Sequence, residues 1–173
     1  FQDRIDFART ARIGYDYTGS RLNKFNDNVH LEKIATSEMD IYKFTPNNSQ
    51  EDTFGIYFHG GGYYNGSITA YKNIVSQFTY ELQIPMYYFE YSLTPEFLFP
   101  AAHEDAKKAV EIISRLETSK QTIWMGDSAG GGLATGILVD KTFDISPDKL
   151  ILMSPWLDLS DENKDRKYLK NKD

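Results

Sequence analysis

Apolar and polar positions change period several times along the chain, and each change marks an element. Val29–Thr36 and Met39–Thr45 alternate in character, the two-residue period of strands with one covered face, and Pro46-Asn47-Asn48-Ser49 supplies turn chemistry after the second. Phe54–Phe58 is apolar apart from its Gly55 and predicts a strand covered on both faces. Tyr71, Ile74, Val75, Phe78 and Leu82 then recur at helical spacing, and Met86–Tyr91 is a second aromatic strand. In the next helix Ala102, Ala106, Ala109, Ile113 and Leu116 form one stripe, while Glu104, Lys107, Lys108 and Glu111 face water. Thr122–Met125 predicts a strand, Ser128–Val139 a helix small or apolar nearly all round and hence buried, and Lys149–Met153 a last strand. The first 27 residues mix aromatics with charges and predict a helix followed by irregular chain.

Strands alternating with helices require crossover connections, so the fold class is α/β, with a mostly parallel central sheet flanked by helices. Residues 1–28 form a cap-like segment and 29–160 the core. Residues 161–173 carry five basic and four acidic side chains with almost nothing to bury, a solvated tail.

At 173 residues, with 40% hydrophobic and 25% charged side chains, the chain has the composition of one ordinary globular domain. A net charge of −6 argues against nucleic-acid binding, which needs a basic face to displace counterions. The absence of cysteine excludes disulfides and a thiolate nucleophile. No apolar stretch approaches the ~20 residues of a membrane span, and no signal-peptide pattern opens the chain, so the expectation is a soluble, cytoplasmic protein. Three scattered histidines make no metal cluster, and no cofactor is expected.

The chemistry concentrates in two places. Gly126-Asp127-Ser128-Ala129-Gly130 fits G-x-S-x-G and lies between a predicted strand and a predicted helix. A serine on that tight turn lifts its hydroxyl off the sheet, and the Ala129 amide points to where an oxyanion would form. A glycine-rich turn before a buried helix would satisfy the same pentapeptide. His59-Gly60-Gly61-Gly62, directly after the Phe54–Phe58 strand, adds an independent signal, since glycines leave successive N–H groups free to converge on negative charge. Such a loop can also cradle phosphate, but neither a P-loop lysine nor G-x-G-x-x-G accompanies it.

These motifs, with Tyr91-Ser92-Leu93-Thr94-Pro95-Glu96, Phe99-Pro100-Ala101-Ala102 with Asp105, and Ser154-Pro155-Trp156-Leu157-Asp158-Leu159, stand in the order of the hormone-sensitive-lipase-like branch of the α/β-hydrolases (bacterial lipolytic family IV). The chain resembles that family from about Val29 to Ser160. The resemblance implies a cofactor-free carboxylesterase or lipase acting on short to medium acyl esters, with Ser128 as nucleophile and Gly61, Gly62 and Ala129 as oxyanion donors. It implies that His59 and Gly60 support the loop, and Tyr63 and Asp127 are candidates to line the substrate pocket. Ser92 replaces the arginine usual in the family, which puts a local salt bridge in doubt.

A serine nucleophile needs a base, which in this fold follows it in the chain, yet His30, His59 and His103 all precede Ser128. His30 reads as an exposed strand residue, His103 as a capping or surface residue, and Asp158 as structural rather than as the catalytic acid. The expectation is a core truncated after the sixth of eight strands, with the histidine and the acid supplied from outside. The sheet edge near Lys149–Leu157 would lack cover, predicting a complementing chain, a second copy or poor solubility. The alternative is a small-ligand-binding protein of the same fold without catalysis, or an inactive fragment.

Overall fold

The computed structural model describes residues 2–50, 52–117 and 120–160; the predicted tail at 161–173 lies outside them. The chain runs α1 (Gln2–Leu22), β1 (Val29–Ile34), β2 (Ile41–Pro46), β3 (Thr53–Phe58), α2 (Ile68–Leu82), β4 (Met86–Phe89), α3 (Ala101–Leu116), β5 (Gln121–Asp127), α4 (Ser128–Leu138) and β6 (Lys149–Met153). The six strands form one sheet in the order β1-β2-β4-β3-β5-β6. β1 and β2 pair antiparallel, as do β2 and β4; the β4-β3-β5-β6 portion is parallel. This is the mostly parallel α/β architecture expected from the alternation of elements.

Side-chain alternation on the central strands divides the core in two. Phe54, Ile56 and Phe58 of β3 join Tyr87, Phe89 and Trp124 under α3 and α4, while Tyr57 joins Met86, Tyr88 and Met125 under α2. Both faces of β3 are thus buried, which explains its unbroken apolar run. Ser67 caps α2, its hydroxyl accepting from the amides of Thr69 and Ala70. α1 crosses α2 closely at Gly19, where a Cβ would come within 2.8 Å of the Ala70 side chain.

Two expectations for α3 need correcting. Its buried stripe is Ala106, Ala109, Val110 and Ile113, and Leu116, the last residue of the helix, is 52% exposed. Lys107 does not face open water: it folds back onto Asp140 at 2.6 Å. β6 forms one sheet edge, with Ile151 38% exposed.

Candidate active site

β5 ends at Asp127 in extended conformation, and Ser128 begins α4 with φ 49°, in the left-handed region that an L side chain enters only at a cost. The glycines two before and two after the serine are there for steric reasons. A Cβ on Gly126 would lie 2.8 Å from the Gly130 backbone, and one on Gly130 would lie 2.0 Å from the Phe58 carbonyl oxygen. The turn is tied to the end of β6 through the Trp156 amide, which donates to the Ser128 carbonyl at 2.8 Å.

β3 and β5 are neighbours with Phe58 opposite Gly126, so His59–Gly62 leaves the sheet beside Asp127 and Ser128. The Tyr64 and Asn65 amides both donate to the Gly61 carbonyl, which curls the loop tightly. Gly61 and Gly62 have φ of 109° and 64°, and a Cβ on Gly61 would come within 2.3 Å of the Asn65 carbonyl oxygen. Among the described residues, no acceptor is bonded to the amide of either glycine. Ala129 is the second residue of α4, and its helix-start amide adds partial positive charge at the same end.

His59 is fully buried, with its ring stacked on Tyr91 at 4.1 Å between centroids. Burial pushes its pKa down to about 4, against the opposing pull of the Gly60 carbonyl. The ring is therefore neutral at pH 7, and its proton sits on Nδ1 to make the 2.7 Å bond to that carbonyl. The Tyr91 hydroxyl donates in turn to the His59 carbonyl at 2.9 Å.

Asp127 was expected beside Tyr63 in the pocket, and the structure separates the two. Its Oδ1 accepts from the Gly60 amide at 2.9 Å and from the Tyr57 hydroxyl at 3.0 Å, and its Oδ2 from the Tyr71 hydroxyl at 3.1 Å. Tyr71 continues to Tyr15 of α1, hydroxyl to hydroxyl, at 2.9 Å. The carboxylate thereby staples the glycine loop to the serine turn, and it borders a cavity of about 450 Å³ on the α1–α2 side of the sheet. Burial, reinforced by the nearby Asp127 charge, pushes both Tyr57 and Tyr71 far above the ordinary phenol range. Tyr63 lines a different, apolar cavity of about 610 Å³, which Gly62 of the glycine loop also borders.

Neither His30 nor His103 approaches the serine through a hydrogen bond. His30 is exposed on β1, at the sheet edge remote from β5. His103 was expected at the surface but is half-buried, its Nε2 3.1 Å from Asp140 Oδ2. Asp158 accepts at Oδ1 from the Ser160 amide and hydroxyl. Among the described residues no cluster of three or more metal-ligating side chains occurs, and no helix is long and apolar enough to cross a membrane.

Sequence patterns missed the ties that frame this site. Arg12 of α1 donates to both carboxylate oxygens of Glu96 (2.8 and 2.7 Å) and to the carbonyls of Tyr64 and Thr94, both at 2.8 Å. The bonds from Arg12 outweigh desolvation and hold Glu96 down at about 2. Asp105 accepts from the Ser92 amide at 2.8 Å.

The profile of the α/β-hydrolase fold family matches residues 55–173. The versiconal hemiacetal acetate esterase of Aspergillus parasiticus is 25% identical over 134 residues, 75% of this chain and 43% of that protein. The hormone-sensitive lipase of Mus musculus is 28% identical over 131 residues, 70% of this chain and 16% of that protein. The crystal structure of an esterase from the bacterial hormone-sensitive lipase family aligns with a TM-score of 0.77 at 25% identity, covering 87% of this chain and 52% of its own. The chain thus spans about half the length of that esterase, and less of the two sequence relatives. With the fold, the serine turn and the glycine loop in the arrangement described, this chain belongs to the α/β-hydrolase fold family, on its hormone-sensitive-lipase-like branch.

Proposed function

We propose that this chain carries the nucleophile and oxyanion site of a carboxylester hydrolase acting on short to medium acyl esters. The observation that carries the proposal is the joining of two chain segments by one side chain. Asp127, next to the strained Ser128, holds the Gly60 amide, and the amides that follow it, Gly61 and Gly62, are bonded to no acceptor among the described residues. Ser128 Oγ attacks the ester carbonyl carbon, and the carbonyl oxygen, now negative, accepts from the amides of Gly61, Gly62 and Ala129. Collapse of the tetrahedral species, with the proton lost by Ser128 delivered to the leaving oxygen, expels the alcohol and leaves an acyl-serine, which water then hydrolyses to the free acid and serine.

The proton of Ser128 needs an acceptor. No hydrogen bond joins Ser128 to any of the three histidines, and His59 is locked in the loop it supports. The base is therefore supplied from outside this chain, and with it the acid that orients it.

The test is intact-mass measurement after exposure to a fluorophosphonate, with ester hydrolysis assayed alongside. The isolated chain hydrolyses activated esters poorly, because a serine and an oxyanion hole without a base retain only a small part of the acceleration. Joined to the part that supplies the base, Ser128 takes one label, and Ser128→Ala takes none. Full turnover by the isolated chain, lost in Ser128→Ala, would overturn the external base. An unlabelled Ser128 in the complete protein would overturn the hydrolase reading. It would favour a ligand-binding protein without catalysis, the reading also supported by a serine hydroxyl with no hydrogen-bond partner among the described residues.

A further inference from the structure

The cavity of about 450 Å³ on the α1–α2 side shares no lining residue with the apolar one beside Tyr63. Four aromatic rings line it. Tyr15, Tyr71, Tyr57 and Phe78 follow one another with centroids 6.3, 5.9 and 5.9 Å apart, and Ile74 adds an aliphatic wall. Among the described residues, Asp127 is the one charged side chain on this lining.

That charge has no counterion. Asp127 takes part in no ion pair among the described residues. Its three donors, the Gly60 amide and the hydroxyls of Tyr57 and Tyr71, are all neutral. Burial, with the Asp127 charge adding to it, holds both phenols in the protonated form. Oδ1 accepts two of these bonds and Oδ2 only one, so Oδ2 keeps a lone pair free. A half-buried carboxylate supported by dipoles alone lacks the positive partner that would offset its desolvation.

The chemistry of the lining narrows what fits. An anion is repelled by Asp127. A bare metal ion wants several oxygen ligands, and one carboxylate beside phenols offers too few. An uncharged guest would bury the carboxylate further and leave its charge unanswered. An alkylated ammonium meets both features, since its charge answers Asp127 and its methyl groups pack on aromatic rings whose quadrupole attracts a cation. We propose that this cavity binds a small organic ammonium ion, with Asp127 as its counterion and Tyr15, Tyr57, Tyr71 and Phe78 as its aromatic walls.

The experiment is calorimetric titration of the complete protein with choline and with dimethylbutanol, its uncharged carbon isostere, at low and high salt. Choline binds tighter by about tenfold or more, and the difference shrinks as salt screens the pair. Asp127→Asn, which keeps the shape, cuts that preference to about threefold, the part left to the rings. Phe78→Leu weakens choline by about threefold and dimethylbutanol hardly at all, and carries the test should the asparagine variant fail to fold. Equal affinity for the two probes, a preference that neither variant moves, or no uptake of choline by the complete protein overturns the inference. No ester enters the measurement, so its outcome stands apart from that of the hydrolase reading.

Discussion

Replacing Asp127 tests whether one carboxylate holds the site together. In Asp127→Ala three donors lose their acceptor at once: the Gly60 amide and the hydroxyls of Tyr57, 2% exposed, and Tyr71, 6% exposed. A buried donor left unpaired costs about 1–3 kcal/mol, so a plain sum reaches about 3–9. Two features lower it. Tyr71 keeps Tyr15 as a hydroxyl partner, and the cavity that Tyr57 and Tyr71 share with Asp127 is large enough to admit water. The expected loss is therefore about 3 kcal/mol, a large share of a typical domain's stability. Asp127→Asn keeps the shape and one acceptor oxygen for Gly60 and Tyr57. Its amide can donate to the Tyr71 hydroxyl, which turns to donate to Tyr15, so only charge assistance is lost, about 1 kcal/mol. Urea unfolding followed by fluorescence measures both, and amide exchange at Gly60 reports the loop directly, faster in Asp127→Ala and little changed in Asp127→Asn. Equal losses in the two variants, or a loss under about 1 kcal/mol in Asp127→Ala, would refute the stapling role.

Ser128→Gly relieves the left-handed strain at φ 49° and raises stability by about 1 kcal/mol while removing the nucleophile; thermal unfolding against Ser128→Ala separates strain from the hydroxyl. Glu90 is pushed up to about 7 by burial, with Asp16 and Asp40 adding to it and the Ile68 amide opposing. The folded state then holds this proton where the unfolded chain has released it. Stability from this group is complete below about 4.5 and falls, by about 3 kcal/mol, as pH rises to about 7; a denaturation series in Glu90→Gln should lose that slope. Glu117 runs the other way: burial pushes it up, but bonds from Lys120, Lys43 and Tyr87 outweigh this and hold it at about 2. Its contribution is present above about 4.5 and disappears as pH falls toward 2. Glu117→Ala should cost about 2 kcal/mol at pH 7, less than a fully buried pair because both lysines are partly exposed, with calorimetry as the check.

The strands and helices were legible because each buries an apolar face with its own period. Phe54–Phe58 could be read as covered on both sides because no polar side chain interrupts it, and the structure puts α2 on one side and α3 with α4 on the other. The errors fall where burial ends rather than where period changes. Leu116 continues the stripe of α3 by spacing, but it stands half-exposed at the last position of the helix. The serine turn and glycine loop were legible for a steric reason: the contacts around Gly126, Gly130 and Gly61 leave no room for a Cβ, so backbone crowding is written directly as glycine.

Polar partners obey no period, and that is why the framework of the site stayed hidden. Arg12 lies 84 residues from Glu96, on a helix whose one buried residue is Ala8, and its sequence neighbourhood reads as a charged surface. Yet the same helix reaches the site twice: Arg12 pins the Tyr64 and Thr94 carbonyls behind the glycine loop, and Tyr15 reaches Asp127 through Tyr71. A helix that buries so little apolar surface gains position from these directional bonds as well as from its close crossing of α2 at Gly19. The geometry of the loop beside Ser128 then depends on a segment more than a hundred residues earlier in the chain. Removing the first 22 residues would thus loosen the glycine loop before it loosened the sheet, and faster amide exchange at 60–65 with unchanged exchange in β3 and β5 is the signature that separates the two.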